Sequence, residues 1–374
     1  MSQIKNPFLV YGYDGPAYFC DRRQETEDII SALHNGCNLT LISPRRYGKT
    51  GLIQNVFHRL KEQDESTICC YVDIYATNTL DDFVATLGKA VVGKLESPLQ
   101  KAGGLIGKVF RNSQITISQD PLSGLPQFGL SFHPLQVENT LDEIFDYLSH
   151  ADRPCYVAID EFQQIGEYPE KNVEALLRAH IQQTQNVHFI FSGSKMHMMQ
   201  EMFNSPKRPF YRSTEKLFLH LLPKRVYYEF ASEKMAEKGI ILSEHVFDEI
   251  YDKVDGVTWF VQSILNRLYR LEPCEITAEQ VRDTVNRIVR SEEEDYKRIF
   301  HILTLNQSKL LLAIARESVV KEPLAAAFLQ KHQLKTPSSM QRALQYLLEH
   351  EYIYRSENGY IIYDRFFGLW LRTV

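Results

Sequence analysis

Short apolar runs alternate with amphipathic stretches through the first part of the chain, and a helical rhythm fills most of the rest. Asn38 to Ser43 (Asn-Leu-Thr-Leu-Ile-Ser) is an apolar run that breaks at Pro44, and Thr50 to Leu60 behind it carries apolar residues at helical spacing. Thr67 to Ile74 reads as a second buried strand and Asp81 to Leu95 as a helix. Pro154 to Asp160, Val187 to Ser192 and Leu217 to Leu222 supply a third, fourth and fifth strand. Continuous apolar strands separated by helical patterns predict an α/β fold, a parallel sheet covered on both faces.

One stretch breaks this rhythm. Residues 97–133 hold Gly103-Gly104, Gly107, Asp120-Pro121 and Gly124-Leu125-Pro126. Alternating runs at Gln114 to Ser118 and Gln127 to Phe132 flank the turn-rich centre and predict a hairpin, read as an insertion exposed near the site. After Pro223 the pattern is helical: Val226 to Lys238, Ser243 to Val254, Phe260 to Leu271 and Thr277 to Arg290. Ser243 and Thr277 are N-cap candidates, and Thr277-Ala-Glu-Gln has capping-box spacing. Helices are expected again at Ser308 to Arg316, Leu324 to Lys331 and Ser338 to His350. Tyr352 to Arg355 and Gly359 to Tyr363 then face each other across Ser-Glu-Asn-Gly, a hairpin signal. Three helices and a two-stranded wing describe a winged helix. The expected division is 1–223, 224–303 and 304–374.

The chain has 374 residues, too many for one ordinary core, so two or three packed units are expected. A net charge of −5 gives no global nucleic-acid footprint. The six cysteines show no metal-ligand spacing, and Cys69, Cys70 and Cys155 sit inside apolar strands, so reduced structural thiols are expected. No segment is apolar and long enough to span a bilayer and the N-terminus has no signal-like core, which predicts a soluble, cytoplasmic protein with no membrane partner.

The chemistry concentrates after the first strand, at Ser43-Pro-Arg-Arg-Tyr-Gly-Lys-Thr50. A phosphate loop asks for G-x-x-x-x-G-K-[ST] between a strand and a helix, and Gly48, Lys49 and Thr50 satisfy it in that context. Ser43, Pro44, Arg45, Arg46, Tyr47, Gly48, Lys49, Thr50 and Gly51 are therefore the expected nucleotide cradle. Gly48 lets backbone N–H groups curl toward phosphate oxygens at a helix N-terminus. Lys49 is placed to neutralise the β- and γ-phosphates, and Thr50 to ligate magnesium. Gly-Gly-Leu-Ile-Gly-Lys108 is a decoy, with no preceding strand and no hydroxyl after the lysine.

A matching acidic strand lies downstream in Cys155-Tyr-Val-Ala-Ile-Asp-Glu161. It puts Asp160 at the carboxyl edge of a buried strand, where ligands of open α/β sheets bind. Asp160 is the expected second magnesium residue, through water, and Glu161 the expected general base. In this ASCE class another strand separates the acidic strand from the loop strand. His188-Phe-Ile-Phe191 would fill the gap, ending in Ser192-Gly193-Ser194, where Ser192 or Ser194 serves either as a sensor hydroxyl or as a helix cap. Arg45 and Arg46 lie within reach of Glu161 or a phosphate. Arg208 and Arg212 bracket Pro-Phe-Tyr before the fifth strand, and Arg212 is the chosen catalytic cation, with a surface role as the alternative. Asp21-Arg22-Arg23 is either part of an adenine pocket or a helix start.

These segments together resemble the archaeal-type ATPase family, a branch of the STAND and AAA+-related P-loop NTPases. Further matches are Ile159-Asp-Glu-Phe-Gln163, Phe191-Ser-Gly-Ser194, Pro209-Phe-Tyr-Arg212 and Tyr363-Asp-Arg-Phe-Phe-Gly-Leu-Trp-Leu371. The resemblance implies an ATPase domain, a helical lid and a C-terminal winged helix, with ATP and Mg2+ as ligands and ADP as product. Ser43 departs from the family's first loop glycine, and Gly256-Val-Thr258 stands where Gly-x-Pro is common. A nuclease-like region is not expected before Val374. The expected function is a slow or partner-stimulated ATP hydrolase acting as a switch, with a non-hydrolysing ATP-bound sensor and a DNA-associated ATPase as alternatives. Ser338, Ser339, Gln341, Arg342 and Arg355 are the winged-helix candidates for DNA, but Glu349, Glu351 and Glu357 oppose a duplex. An intramolecular or protein-binding module that senses the ATPase state is the preferred reading of the winged helix, with a protein partner reached through it or the insertion. Oligomeric state is not legible.

Overall fold

The computed structural model describes residues 6–95, 113–119, 126–132 and 137–374. The chain divides into two compact units, Tyr11–Leu221, and Met1–Val10 with Leu222–Val374. In the first, the elements run α1 (Arg23–His34), β1 (Leu39–Ile42), α2 (Lys49–Gln63), β2 (Ile68–Asp73), α3 (Leu80–Leu95), β3 (Ser113–Gln119), β4 (Pro126–Phe132), α4 (Val137–Ser149), β5 (Cys155–Asp160), α5 (Val173–Gln183), β6 (Val187–Gly193), α6 (Met196–Asn204) and β7 (Glu215–Phe218). The main sheet has five strands in the order β2-β5-β6-β1-β7, all parallel. The acidic strand β5 is thus separated from the loop strand β1 by β6, the order expected of a P-loop NTPase sheet.

Alternation along these strands builds two cores. Cys155, Val157 and Ile159 join Val187, Phe189 and Phe191 in one apolar cluster with α3, α4 and α5. Tyr156, Ala158 and Ile190 belong to the other, with Leu52, Ile53 and Val56 of α2. Strands buried on both sides explain why the sequence shows continuous rather than alternating apolar runs. The ring of Phe162 packs 4.5 Å from Phe191 and 5.3 Å from Phe210, which pins the turn that follows Glu161.

The fifth strand is shorter and earlier than the apolar run Leu217 to Leu222 predicts. It covers Glu215–Phe218, because β1 offers only four residues to pair with and the register begins at Leu39↔Glu215. Leu219 and Leu222 are buried, but outside the ladder. The apolar pattern there reported burial and not pairing. The predicted hairpin forms, with β3 and β4 antiparallel and Ile115 opposite Leu130. Its turn at 120–125 and the Gly103 to Lys108 stretch lie outside the described residues.

The second unit holds the helices Lys224–Ala236, Glu244–Lys253, Thr258–Arg270 and Ala278–Ser291. Thr277 and Gln280 form the capping box read from the sequence, whereas Ser243 stands at an N-cap without a side-chain bond to the turn. A further helix, Glu293–Ile302, lies outside the helices expected from the sequence and buries only Tyr296; its acidic first turn complements the helix N-terminus. The helices Leu305–Glu317, Ala326–Lys331 and Pro337–Glu349 then lead into β8 (Ile353–Ser356) and β9 (Gly359–Ile362), the wing. Val320 adds a bridge to Tyr360 at the edge of this wing.

The closing segment forms a helix, Arg365–Leu371, capped by the Asp364 carboxylate. Phe366 meets Phe260 edge-on at 5.0 Å, and the buried Arg365 guanidinium lies 2.9 Å from the Asp255 carboxylate. The Gly256-Val-Thr258 segment is therefore tied to the winged helix within one unit. No helix among the described residues is long and apolar enough to cross a membrane. The six cysteines are free thiols.

Candidate functional site

The loop between β1 and α2 curls over the carboxyl edge of the sheet. Gly48 holds φ 94°, in the left-handed region, with open space beyond it, so it is the backbone angle and not crowding that requires glycine. Ser43 lies outside the left-handed region, so replacing the usual glycine costs no backbone strain. Its hydroxyl donates to the Pro44 carbonyl at 3.0 Å. The buried Lys49 ammonium donates to the carbonyls of Ser43, at 3.0 Å, and Pro44, at 3.1 Å. Arg46 takes φ 69°. Gly51 opens the first turn of α2 to Phe19, whose ring would lie 3.3 Å from any Cβ there.

Across the edge, the Thr50 hydroxyl donates to Asp160 Oδ2 at 3.1 Å. Tyr71 of β2 donates to the same oxygen at 2.5 Å, and the Glu161 backbone N–H donates to Oδ1 at 3.0 Å. A carboxylate and a hydroxyl converging at this distance form a hard-oxygen donor set, which fits Mg2+ and not a softer ion. Thr50 and Asp160 would hold it.

Glu161 itself sits in the left-handed region at φ 57°, a strained setting for a non-glycine residue and a common mark of functional sites. Its Oε2 accepts from Ser194 Oγ at 2.7 Å and from Gln163 Nε2 at 2.5 Å. Arg45 Nε donates in turn to Ser194 at 3.2 Å, and its guanidinium lies over the Tyr75 ring. Of the two sensor candidates, Ser194 touches the glutamate, while Ser192 is fully buried with its hydroxyl unbonded. The strand end explains the difference. Ser192 lies within β6, whereas Ser194 follows its last residue and faces the edge. Gly193 between them admits Gln163, whose amide oxygen would lie 2.3 Å from a Cβ at that position. Gln163 is a site residue that sequence reasoning alone does not single out; its place two residues after Glu161 in Ile159-Asp-Glu-Phe-Gln163 is the available signal.

Asp73 was also passed over. It ends β2 in register with Asp160, and burial, then the charges of Asp160 and Glu161, hold its carboxyl above the usual range, against a lowering bond from the Tyr75 N–H. A carboxylate whose folded pKa is raised binds its proton more tightly when folded. It therefore detracts from stability as pH rises past the unfolded value and adds no penalty below it. Asp73→Asn should raise the melting temperature at pH 7 and leave it unchanged near pH 3, which thermal unfolding at the two pH values checks.

The remaining cations separate by structure. Arg208 is bound to Glu174 at 2.6 Å, a structural pair. Arg212, exposed and at φ 52°, makes no ion pair among the described residues and rests over the Tyr211 ring. Arg22 is buried, donating to Glu25, to the Tyr47 carbonyl and to His220, so it ties the start of α1 to the phosphate loop. On the winged helix, Gln341 and Arg342 are exposed, the Ser339 hydroxyl is taken by Asn306, and Arg355 lies over Tyr360.

Comparison with known proteins agrees with the fold. Residues 34–199 match the family model described as AAA domain, and residues 294–373 match that described as probable winged helix domain. Among curated proteins none matches. Of solved structures, the chain is similar to a Walker-type ATPase of Pyrococcus abyssi at 16% identity, covering 98% of this chain and 99% of that one with a TM-score of 0.67. It is also similar to the Aeropyrum pernix ORC2 protein in ADPNP-ADP complexes, at 16% identity, 98% and 95% coverage and a TM-score of 0.60. The Aeropyrum pernix ORC1 protein in complex with DNA follows at 14% identity, 98% and 96% coverage and a TM-score of 0.55. The chain thus carries an AAA-type P-loop domain followed by a C-terminal helical region with a winged helix.

Proposed function

We propose that this P-loop protein binds ATP with Mg2+ and hydrolyses it, using the nucleotide state to drive a switch. The observation that carries the reading is the sheet edge, where Thr50 reaches Asp160 at 3.1 Å and the next residue, Glu161, is fixed by Ser194 and Gln163. Magnesium held by Thr50 and Asp160 would neutralise charge on the β- and γ-phosphate oxygens. Lys49 leaves the loop carbonyls for those oxygens, and Glu161 takes the proton of the attacking water. Of the two serines expected as sensor candidates, Ser194 is the one we assign to support the glutamate. Arg212, which makes no ion pair among the described residues, is the cation we assign to the transferring phosphoryl group, in cis or from a neighbour.

The switch would be read by the helices from 224 to 303, acting as a lid, and by the winged helix from 304, which Arg365 and Phe366 bind to the lid. We prefer a protein partner as the target of the winged helix, with DNA less favoured because Glu349, Glu351 and Glu357 of the same domain would repel a duplex. Six free thiols fit a reducing cytoplasm. Steady-state phosphate release from ATP tests the proposal. Release should require magnesium and stop with EDTA. Tight ATP binding with no release above the EDTA control would sink hydrolysis and leave an ATP-bound sensor.

A further inference from the structure

We infer that Tyr71 is a positioning residue for the magnesium site, holding the Asp160 carboxylate so that it serves the metal through Thr50 and bound water. The inference rests on the Mg-ATP reading above. Tyr71 lies on β2 opposite Ala158, and Asp73, two residues on, lies opposite Asp160. Its phenol reaches diagonally along the sheet to Asp160 Oδ2, where it meets the Thr50 hydroxyl.

The donor count gives the reason. A carboxylate offers about four acceptor directions. Here Oδ2 takes Thr50 and Tyr71, and Oδ1 takes the Glu161 N–H. A carboxylate so occupied has little freedom to swing onto a metal, which suits Mg2+ because that ion keeps several waters. Packing does not explain the hydroxyl. The ring packs on the apolar cluster around Cys69 and Tyr156, a place phenylalanine would fill equally well.

The test uses the full chain and a fluorescent ATP analogue, titrated with Mg2+ for wild type and Tyr71→Phe. Nucleotide affinity in EDTA and the melting temperature should be unchanged. The Mg2+ concentration giving half-maximal tightening of nucleotide binding should rise on the order of tenfold, the scale of one charge-assisted hydrogen bond. An unchanged Mg2+ requirement overturns the inference, as does a loss of EDTA affinity and melting temperature with the Mg2+ requirement unaltered. If wild-type affinity does not respond to Mg2+ at all, the Mg-ATP reading fails and the role of Tyr71 falls with it. A normal wild-type response that the variant matches removes Tyr71 alone.

Discussion

Glu161→Gln should bind ATP as wild type does and release phosphate about 10²–10⁴-fold more slowly, the usual contribution of a positioned general base. The substitution is matched in shape. The amide oxygen can still accept from Ser194 and Gln163, which both donate to Oε2 in wild type. Only the ability to take a proton is removed. The strained φ of 57° at this position is met equally by glutamate and glutamine, so the fold should not change. Single-turnover phosphate release and equilibrium nucleotide binding, measured on the same preparation, separate the two effects. Turnover equal to wild type would remove Glu161 from the base role.

Lys49→Ala should weaken ATP binding on the order of a hundredfold and abolish turnover with it. Two losses combine. A hydrogen-bonded ammonium beside phosphate is worth about 1.5–3 kcal/mol per bond to a charged group. The Ser43 and Pro44 carbonyls also lose their donor in a buried place, since the ammonium reaches both when it is not on phosphate. An orphaned buried acceptor costs about 1–3 kcal/mol, so the empty loop should be looser as well. Isothermal titration with ATP and with ADP checks this. A smaller loss for ADP than for ATP is expected, because Lys49 is placed for the γ-phosphate as well as the β-phosphate. Equal losses would confine it to the β-phosphate.

Asp160 and Glu161 were legible in the sequence because a buried strand must end somewhere, and two carboxylates directly after four apolar residues have no other place than the sheet edge. Gly48, Lys49 and Thr50 were legible because phosphate binding at a helix N-terminus tolerates few alternatives. The pairing of Ser194 rather than Ser192 with Glu161 was not. Both are serines at the end of one strand, and only the last residue of β6 decides which of them leaves the ladder. Arg208 and Arg212 looked alike in sequence for a similar reason; Glu174, thirty-odd positions away in the chain, binds one of them.

The sequence alone determined that a parallel sheet would be buried on both faces, that a phosphate loop would follow its first strand, and that a wing would close the chain. Those properties are local, written in apolar spacing, turn residues and caps that act over a few positions. The tertiary structure decided which side chains converge on Asp160. Tyr71 reaches it from a neighbouring strand, Thr50 from the start of α2, and Asp73 through strand register, contacts set by packing between segments far apart in sequence. Long-range convergence of this kind depends on the register and layering of the whole sheet, which no single stretch of residues encodes.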